Sequence, residues 1–372
     1  MLERLHVRNF TVFEEADFKF SPGLNVVVGT NGTGKSHVLK LGYAVEMAFT
    51  ESEIEKTRQY YGVTEAQRDS ASEYIFVWLT NLLENILKSF SVETLKNLIR
   101  RNSSNDQADI RIESNKLKQP LLFKITYDDR RFGNLESDGE DALLSGNNSS
   151  VFPILIPAKE VLSVFPGLKS LNERYVLSFD KTYTDLLTAL DLPSLREIPD
   201  DLKKIIIELE NIMQGKILLD NGRFYLQPAS GNRFEINLVA EGIRKFGVLA
   251  QLLANGSLTP ETTLYWDEPE ANLNPALLRQ LAVLLVQLAA QGFQIILATH
   301  SLFLLKEFHI LAQQEPQAKV RYFGLTAASS EAVRVTTTDN LELLPDIVAL
   351  DAELEQSDRF QEGLDREDAN SN

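Results

Sequence analysis

Gly29-Thr30-Asn31-Gly32-Thr33-Gly34-Lys35-Ser36 fits the pattern G-x-x-x-x-G-K-[ST] without a gap, and its neighbours suit it. Leu24 to Val28 is an apolar run of strand length, and His37 to Ala48 reads as a helix. A loop of this composition between strand and helix binds phosphate, and each residue type has a reason to be there. The glycines let the backbone curl so that successive N–H groups point at one anion. The helix opening at Lys35 adds the positive end of its dipole. Lys35 can reach the β- and γ-phosphates, and the Ser36 hydroxyl is placed to ligate Mg²⁺. The expected nucleotide-binding set is Gly29, Thr30, Asn31, Gly32, Thr33, Gly34, Lys35 and Ser36, continued by His37, with ATP and Mg²⁺ as the ligands.

A second segment, Thr262-Thr263-Leu264-Tyr265-Trp266-Asp267-Glu268, reads as a strand delivering two acids at its C-terminal end. In an open parallel sheet, ligands bind at that edge. Asp267 is then a metal ligand, and Glu268 is the base that polarises an attacking water. Asn274-Pro275 opens an apolar helix that Gly292 closes. Phe293 to Thr299 is a further strand, which sets His300 at a strand end within reach of a γ-phosphate. His6, His37 and His309 show no spacing that suggests a metal site.

The rest of the chain frames these motifs. Residues 2–28 read as the first strands of a sheet, with Leu5 and Val7, then Phe18 and Phe20, alternating with polar neighbours. The block 51–106 is helical and closes in the loop Asn102–Asp106. Strands follow near 108–113 and 121–128, then a polar loop from Gly133 to Ser150 and an apolar strand from Val151 to Ile156. Helices are expected over most of 158–213. Lys216 to Gln227 is a hairpin turning at Asn221-Gly222, and Phe234, Ile236 and Leu238 alternate as a strand. The expected organisation is one domain over 1–350, with 51–106 inserted in it and an acidic, frayed tail over 351–372.

With 372 residues, 44% hydrophobic and 24% charged, the chain has the balance of an ordinary globular protein. It lacks a run of about 18 apolar residues, so no membrane span is expected. It has no cysteine, which excludes disulfides and fits a cytoplasmic protein. A net charge of -16 opposes nucleic-acid binding by the whole surface, though a local basic groove would remain compatible with it.

Taken together, Gly29 to Ser36, Asp267-Glu268-Pro269-Glu270-Ala271-Asn272-Leu273-Asn274-Pro275 and Thr299-His300-Ser301 resemble the ABC-type ATPases. The closer likeness is to their overcoming-lysogenization-defect and RecF-like branch, here without a fused nuclease domain. The resemblance implies an α/β P-loop NTPase: an ATPase head with an N-terminal β-rich lobe and a helical insertion. It implies Mg²⁺-dependent ATP hydrolysis between two heads that each complete the other's site, hence a homodimer or larger homo-oligomer. A separate effector protein and a role in defence against phage or foreign DNA follow by analogy, with a RecF-like DNA repair clamp as the alternative. The family's signature segment matches Val239-Ala240-Glu241-Gly242-Ile243-Arg244-Lys245, but Ala240 replaces its serine and Glu241 its first glycine. Contact with a partner's γ-phosphate through Ala240, Glu241 and Gly242 would rest on backbone N–H groups, aided by Arg244 or Lys245. Pro157-Ala158-Lys159-Glu160 stands as a weak match to the family's glutamine loop.

Overall fold

The computed structural model describes residues 1–59, 71–101, 106–126, 135–136, 151–167, 179–327, 332–344 and 355–362. Most of the Gly133–Ser150 and Asn102–Asp106 loops, and most of the tail, lie outside the described residues.

Three largely apolar runs become the centre of a six-stranded sheet. They are β3 (Leu24–Gly29), β11 (Thr263–Asp267) and β12 (Gln294–Thr299), and all but Asp267 are buried throughout. Strands buried on both faces need no alternation, which is the habit of parallel sheets. With β7 (Ile154–Ile156), β13 (Arg321–Ala327) and β14 (Val333–Thr338), the order is β14-β13-β3-β12-β11-β7. Every pairing is parallel except β13 with β14.

Side chains on successive residues leave opposite faces, so this sheet divides two cores. Val26, Val28, Leu264, Trp266, Ile295 and Leu297 enter one. That core is closed by α3 (Lys181–Leu190), α4 (Asp200–Met213), α5 (Glu241–Ala254), α6 (Pro275–Ala290) and α7 (Leu302–Gln314). Val27, Tyr265, Ile296 and Ala298 enter the other, under α1 (Lys35–Gln59) and an antiparallel sheet. That second sheet runs β2-β1-β4-β5-β6, from β1 (Leu2–Phe10), β2 (Phe13–Lys19), β4 (Gln107–Ser114), β5 (Leu121–Thr126) and β6 (Leu135–Glu136).

The block expected as an insertion begins inside α1, which continues from the phosphate loop through Gln59. Its second helix, α2 (Ala71–Phe90), packs along α1: Trp78 stacks on Phe49 at 5.1 Å, and the Asn85 amide donates to Glu51 at 2.6 Å. The end of the block returns to the β1–β2 turn, where Thr11 N donates to Leu98 O at 2.7 Å.

A small sheet, β10-β9-β8, holds the hairpin of β8 (Lys216–Asp220) and β9 (Arg223–Gln227). Asn221 and Gly222 take φ of 49° and 71° at its turn, the left-handed pair of a type I′ turn. The strand expected through Leu238 stops early. β10 spans Phe234–Glu235, and Ile236–Leu238 is a 3₁₀ turn closed by Val239 N on Ile236 O at 3.0 Å. Ile236 is buried while Phe234 and Leu238 face solvent, so the alternation reported one anchoring side chain rather than a half-buried strand.

Candidate nucleotide site

Strands β3, β12 and β11 are neighbours, and their C-terminal ends carry the three sequence motifs side by side. Beyond β3, the loop closes on itself: Lys35 Nζ donates to Gly29 O at 2.8 Å and Thr30 O at 3.0 Å, and Thr33 Oγ1 donates to Thr30 O at 2.8 Å. Two glycines admit no substitute. A Cβ on Gly29 would lie 2.7 Å from Leu325 O, and one on Gly34 would lie 2.7 Å from Phe13 Cζ and Val12 Cγ2. Gly34 also has φ +91°, a conformation other L residues rarely adopt. Burial holds the Lys35 ammonium below its usual pKa, against the opposing pull of Glu268, Asp267 and Glu270. The His37 ring turns away to lie 5.6 Å from Phe90, so its contribution to an anion would come from its main-chain N–H.

Asp267 closes β11. One of its carboxylate oxygens is buried without a hydrogen-bond partner, and the Ser36 hydroxyl lies against the carboxylate. Burial, with the charge of Glu268, raises the Asp267 pKa, while Ser36, Lys35 and Lys40 counter the rise. A buried acceptor with no donor is open to a cation or a water. Among the described residues no group of three or more His, Cys, Asp or Glu could hold a metal alone. Ser36 and Asp267 fit Mg²⁺ that takes its remaining ligands from phosphate and water.

Glu268 departs from the strand with φ +47°, and its N–H donates to Ala298 O at 2.9 Å on β12. His300, just past β12, presents Nδ1 at 3.7 Å from Glu268 Oε1 and 3.4 Å from Glu270 Oε1. Glu270 is buried, and its Oε1 also accepts from Thr299 Oγ1 at 2.7 Å and His300 N at 2.9 Å. Sequence reasoning left Glu270 without a role. The signal was present: a third acid in Asp267-Glu268-Pro269-Glu270, too buried in the fold to be a solvated turn residue.

The signature segment sits elsewhere than expected for two of its side chains. Ala240 is exposed at the N-cap of α5 and offers no capping bond. Gly242 packs so tightly that a Cβ would lie 2.7 Å from Asn272 O, and Asn272 Nδ2 donates to Glu241 Oε1 at 2.8 Å. Arg244 and Lys245, expected to aid a partner's phosphate, are committed within their own chain. Arg244 bonds Glu160 at 2.7 Å and Val239 O at 2.9 Å. Lys245 is buried and donates to Glu268 O and Pro269 O, each at 3.2 Å. The Glu160 carboxylate also accepts from Leu162 N and Ser163 N.

A further group joins α1 to α3 near the site. Lys40 donates to Asp180 at 2.7 Å, and Tyr43 OH donates to Asp185 at 2.6 Å. The Tyr183 hydroxyl is pushed up to about 12 by burial, then by the charges of Asp180 and Asp267, which sets it beside the acid motif. No spacing in the sequence linked α3 to the site. Among the described residues no helix is long and apolar enough to cross a membrane.

The chain is similar to several known proteins. Residues 24–306, well over half of the chain, match the family described as "AAA domain, putative AbiEii toxin, Type IV TA system". The chromosome partition protein Smc of Methanocaldococcus jannaschii is 24% identical over 221 residues, 56% of this chain and 18% of that protein. The DNA replication and repair protein RecF of Edwardsiella ictaluri is 48% identical over 44 residues, 12% of each chain. The chain thus spans less than a fifth of the length of these curated relatives. Among solved structures, an Smc head bound to the C-winged helix domain of ScpA superposes with a TM-score of 0.55 at 14% identity, covering 92% of this chain and 98% of that one. The chain belongs to this AAA family of P-loop ATPases and has the fold of an ABC-type ATPase head.

Proposed function

We propose that the protein binds and hydrolyses ATP with Mg²⁺, closing head to head with a second copy around the nucleotides. The observation that carries this reading is the convergence of Lys35, Asp267, Glu268 and His300 at adjacent strand ends, with one Asp267 oxygen buried and unpartnered. Lys35 and the loop N–H groups bind the phosphates, while Ser36 and Asp267 hold the metal. When bound, Mg²⁺ neutralises charge on the β- and γ-phosphates. Glu268 takes the proton of the attacking water, and His300 contacts the γ-phosphate. Ala240, exposed at the N-cap of α5, and the main-chain N–H groups of Glu241 and Gly242 behind it reach the nucleotide held by the other head.

The cycle of closing and opening controls a separate effector protein, in defence against phage or foreign DNA. The Smc head solved with a domain of ScpA is a precedent for a head that carries a separate partner. The family description, naming a toxin and a TA system, supports the assignment to defence. The test is Glu268→Gln, which keeps the size and reach of the carboxylate but cannot accept a proton. It binds ATP, hydrolyses it slower by roughly 10²–10⁴-fold, and accumulates as an ATP-bound dimer in light scattering. Wild-type turnover in that variant removes Glu268 as the base; a monomer at saturating ATP removes the two-headed mechanism.

The matches to RecF favour a second reading, an ATP-controlled clamp on DNA. The charge of -16 weighs against it. Tight, steeply salt-dependent binding of duplex DNA by the purified protein would select it.

A further inference from the structure

Glu268 lies in a left-handed backbone conformation, φ +47°, that a residue with a Cβ occupies at a cost. Such a conformation persists where its surroundings over-determine it. On one side, the Glu268 N–H is fixed to Ala298 O. On the other, the carbonyls of Glu268 and Pro269 both accept from Lys245 Nζ at 3.2 Å. Lys245 is 3% exposed. A lysine is rarely taken so far out of water without a partner that needs its charge. Its helix neighbours Phe246, Leu249 and Leu253 are core residues, so the ammonium enters the acid loop from the apolar face of α5.

We propose that Lys245 is a positioning residue for Glu268, its buried ammonium holding the backbone turn from which the Glu268 carboxylate meets the attacking water. This rests on the reading of Glu268 as the base. Asn272, two residues beyond Glu270, is bonded to Glu241. Helix α5 therefore holds the acid loop at two points, at Glu268-Pro269 through Lys245 and at Asn272 through Glu241.

The test is Lys245→Met, which keeps the length and apolar stem and removes the donors. ATP affinity by calorimetry and kcat and KM by steady-state hydrolysis are measured, alone and in a Glu268→Gln background. Expected is a kcat loss of about tenfold or more, with KM and Kd held within about threefold, since the phosphate loop is untouched. In single-turnover assays the same substitution has little further effect once Glu268 is Gln, because a residue acting through Glu268 has nothing left to position. An additional full loss in that background shows a general structural role and overturns the proposal. So does a folded Lys245→Met with wild-type kcat, even where Glu268→Gln is inactive. If Glu268→Gln itself turns over normally, the base assignment fails first and the two failures are told apart. Should Lys245→Met not fold, Lys245→Gln, which can still donate an N–H, takes its place; failure of both to fold makes Lys245 a stability residue and overturns the proposal.

Discussion

Glu270 Oε1 stands 3.4 Å from His300 Nδ1 and accepts the His300 backbone N–H at 2.9 Å, so one carboxylate sets both the ring and the chain that carries it. With Nδ1 turned to Glu270, the Nε2 edge is left for the nucleotide. Two substitutions separate these tasks. Glu270→Ala strands the Thr299 hydroxyl and the His300 N–H without an acceptor, and a stability loss of about 1–3 kcal/mol is expected in denaturant melts. Glu270→Gln keeps an acceptor oxygen while discharging the group. It is expected to melt near the wild type and to lose activity, by less than Glu268→Gln does. Equal activity of Glu270→Gln and the wild type would falsify the role of the carboxylate charge at His300.

Lys35→Ala is expected to abolish ATP binding, with its heat signal lost in calorimetry. Within the loop the Lys35 ammonium donates to Gly29 O and Thr30 O. Removing it leaves those carbonyls to water, so a modest drop of about 0.5–1.5 kcal/mol in stability accompanies the lost affinity. A folded variant with normal ATP affinity would remove the ground for a nucleotide site here.

Asp267 gives a pH dependence of definite sign. Its folded pKa lies above the unfolded value because burial and Glu268 disfavour its charge. Stability from this group is therefore greatest below the unfolded value, about 3.9, and is lost as pH rises through the folded pKa. The cost is present wherever the folded group is ionised. Asp267→Asn is expected to raise the melting temperature of the unliganded protein at pH 7 and to leave it unchanged near pH 3. The same variant loses the extra stabilisation that Mg²⁺ adds to ATP. Scanning fluorimetry with ATP, with and without Mg²⁺, reads both effects; a lower melting temperature at pH 7 would contradict the sign.

The features legible in the sequence were those written in consecutive residues. Gly29 to Ser36 carries its chemistry in its own backbone, and β11 and β12 announce themselves as apolar runs that stop at Asp267 and His300. What escaped was contact across the fold. Lys245 and Glu268 are 23 residues apart, and Arg244 and Glu160 are 84 apart. No local period relates such pairs, so two cations beside the signature segment looked free to serve a partner. One cue was available: Lys245 falls on the same helical stripe as Phe246, Leu249 and Leu253, where a solvated lysine has no place. The 3₁₀ turn at Ile236–Leu238 escaped for a different reason. Alternation of apolar residues records spacing, and a short turn can present the same spacing with a single buried side chain.

β3 lies between β12 and β13, strands from the last third of the chain. A ribosome releases the phosphate-binding loop long before either flank exists, and at about 5–20 residues per second the wait for β13 is roughly 15–60 s. Through that interval Val26, Val27 and Val28 have no sheet to enter, and Gly29 lacks the Leu325 backbone that packs against it. A nascent chain therefore carries its complete ATP motif while unable to use it. Nucleotide therefore cannot stabilise the early stages of folding, because the site that would bind it is completed only when synthesis has passed Ala327.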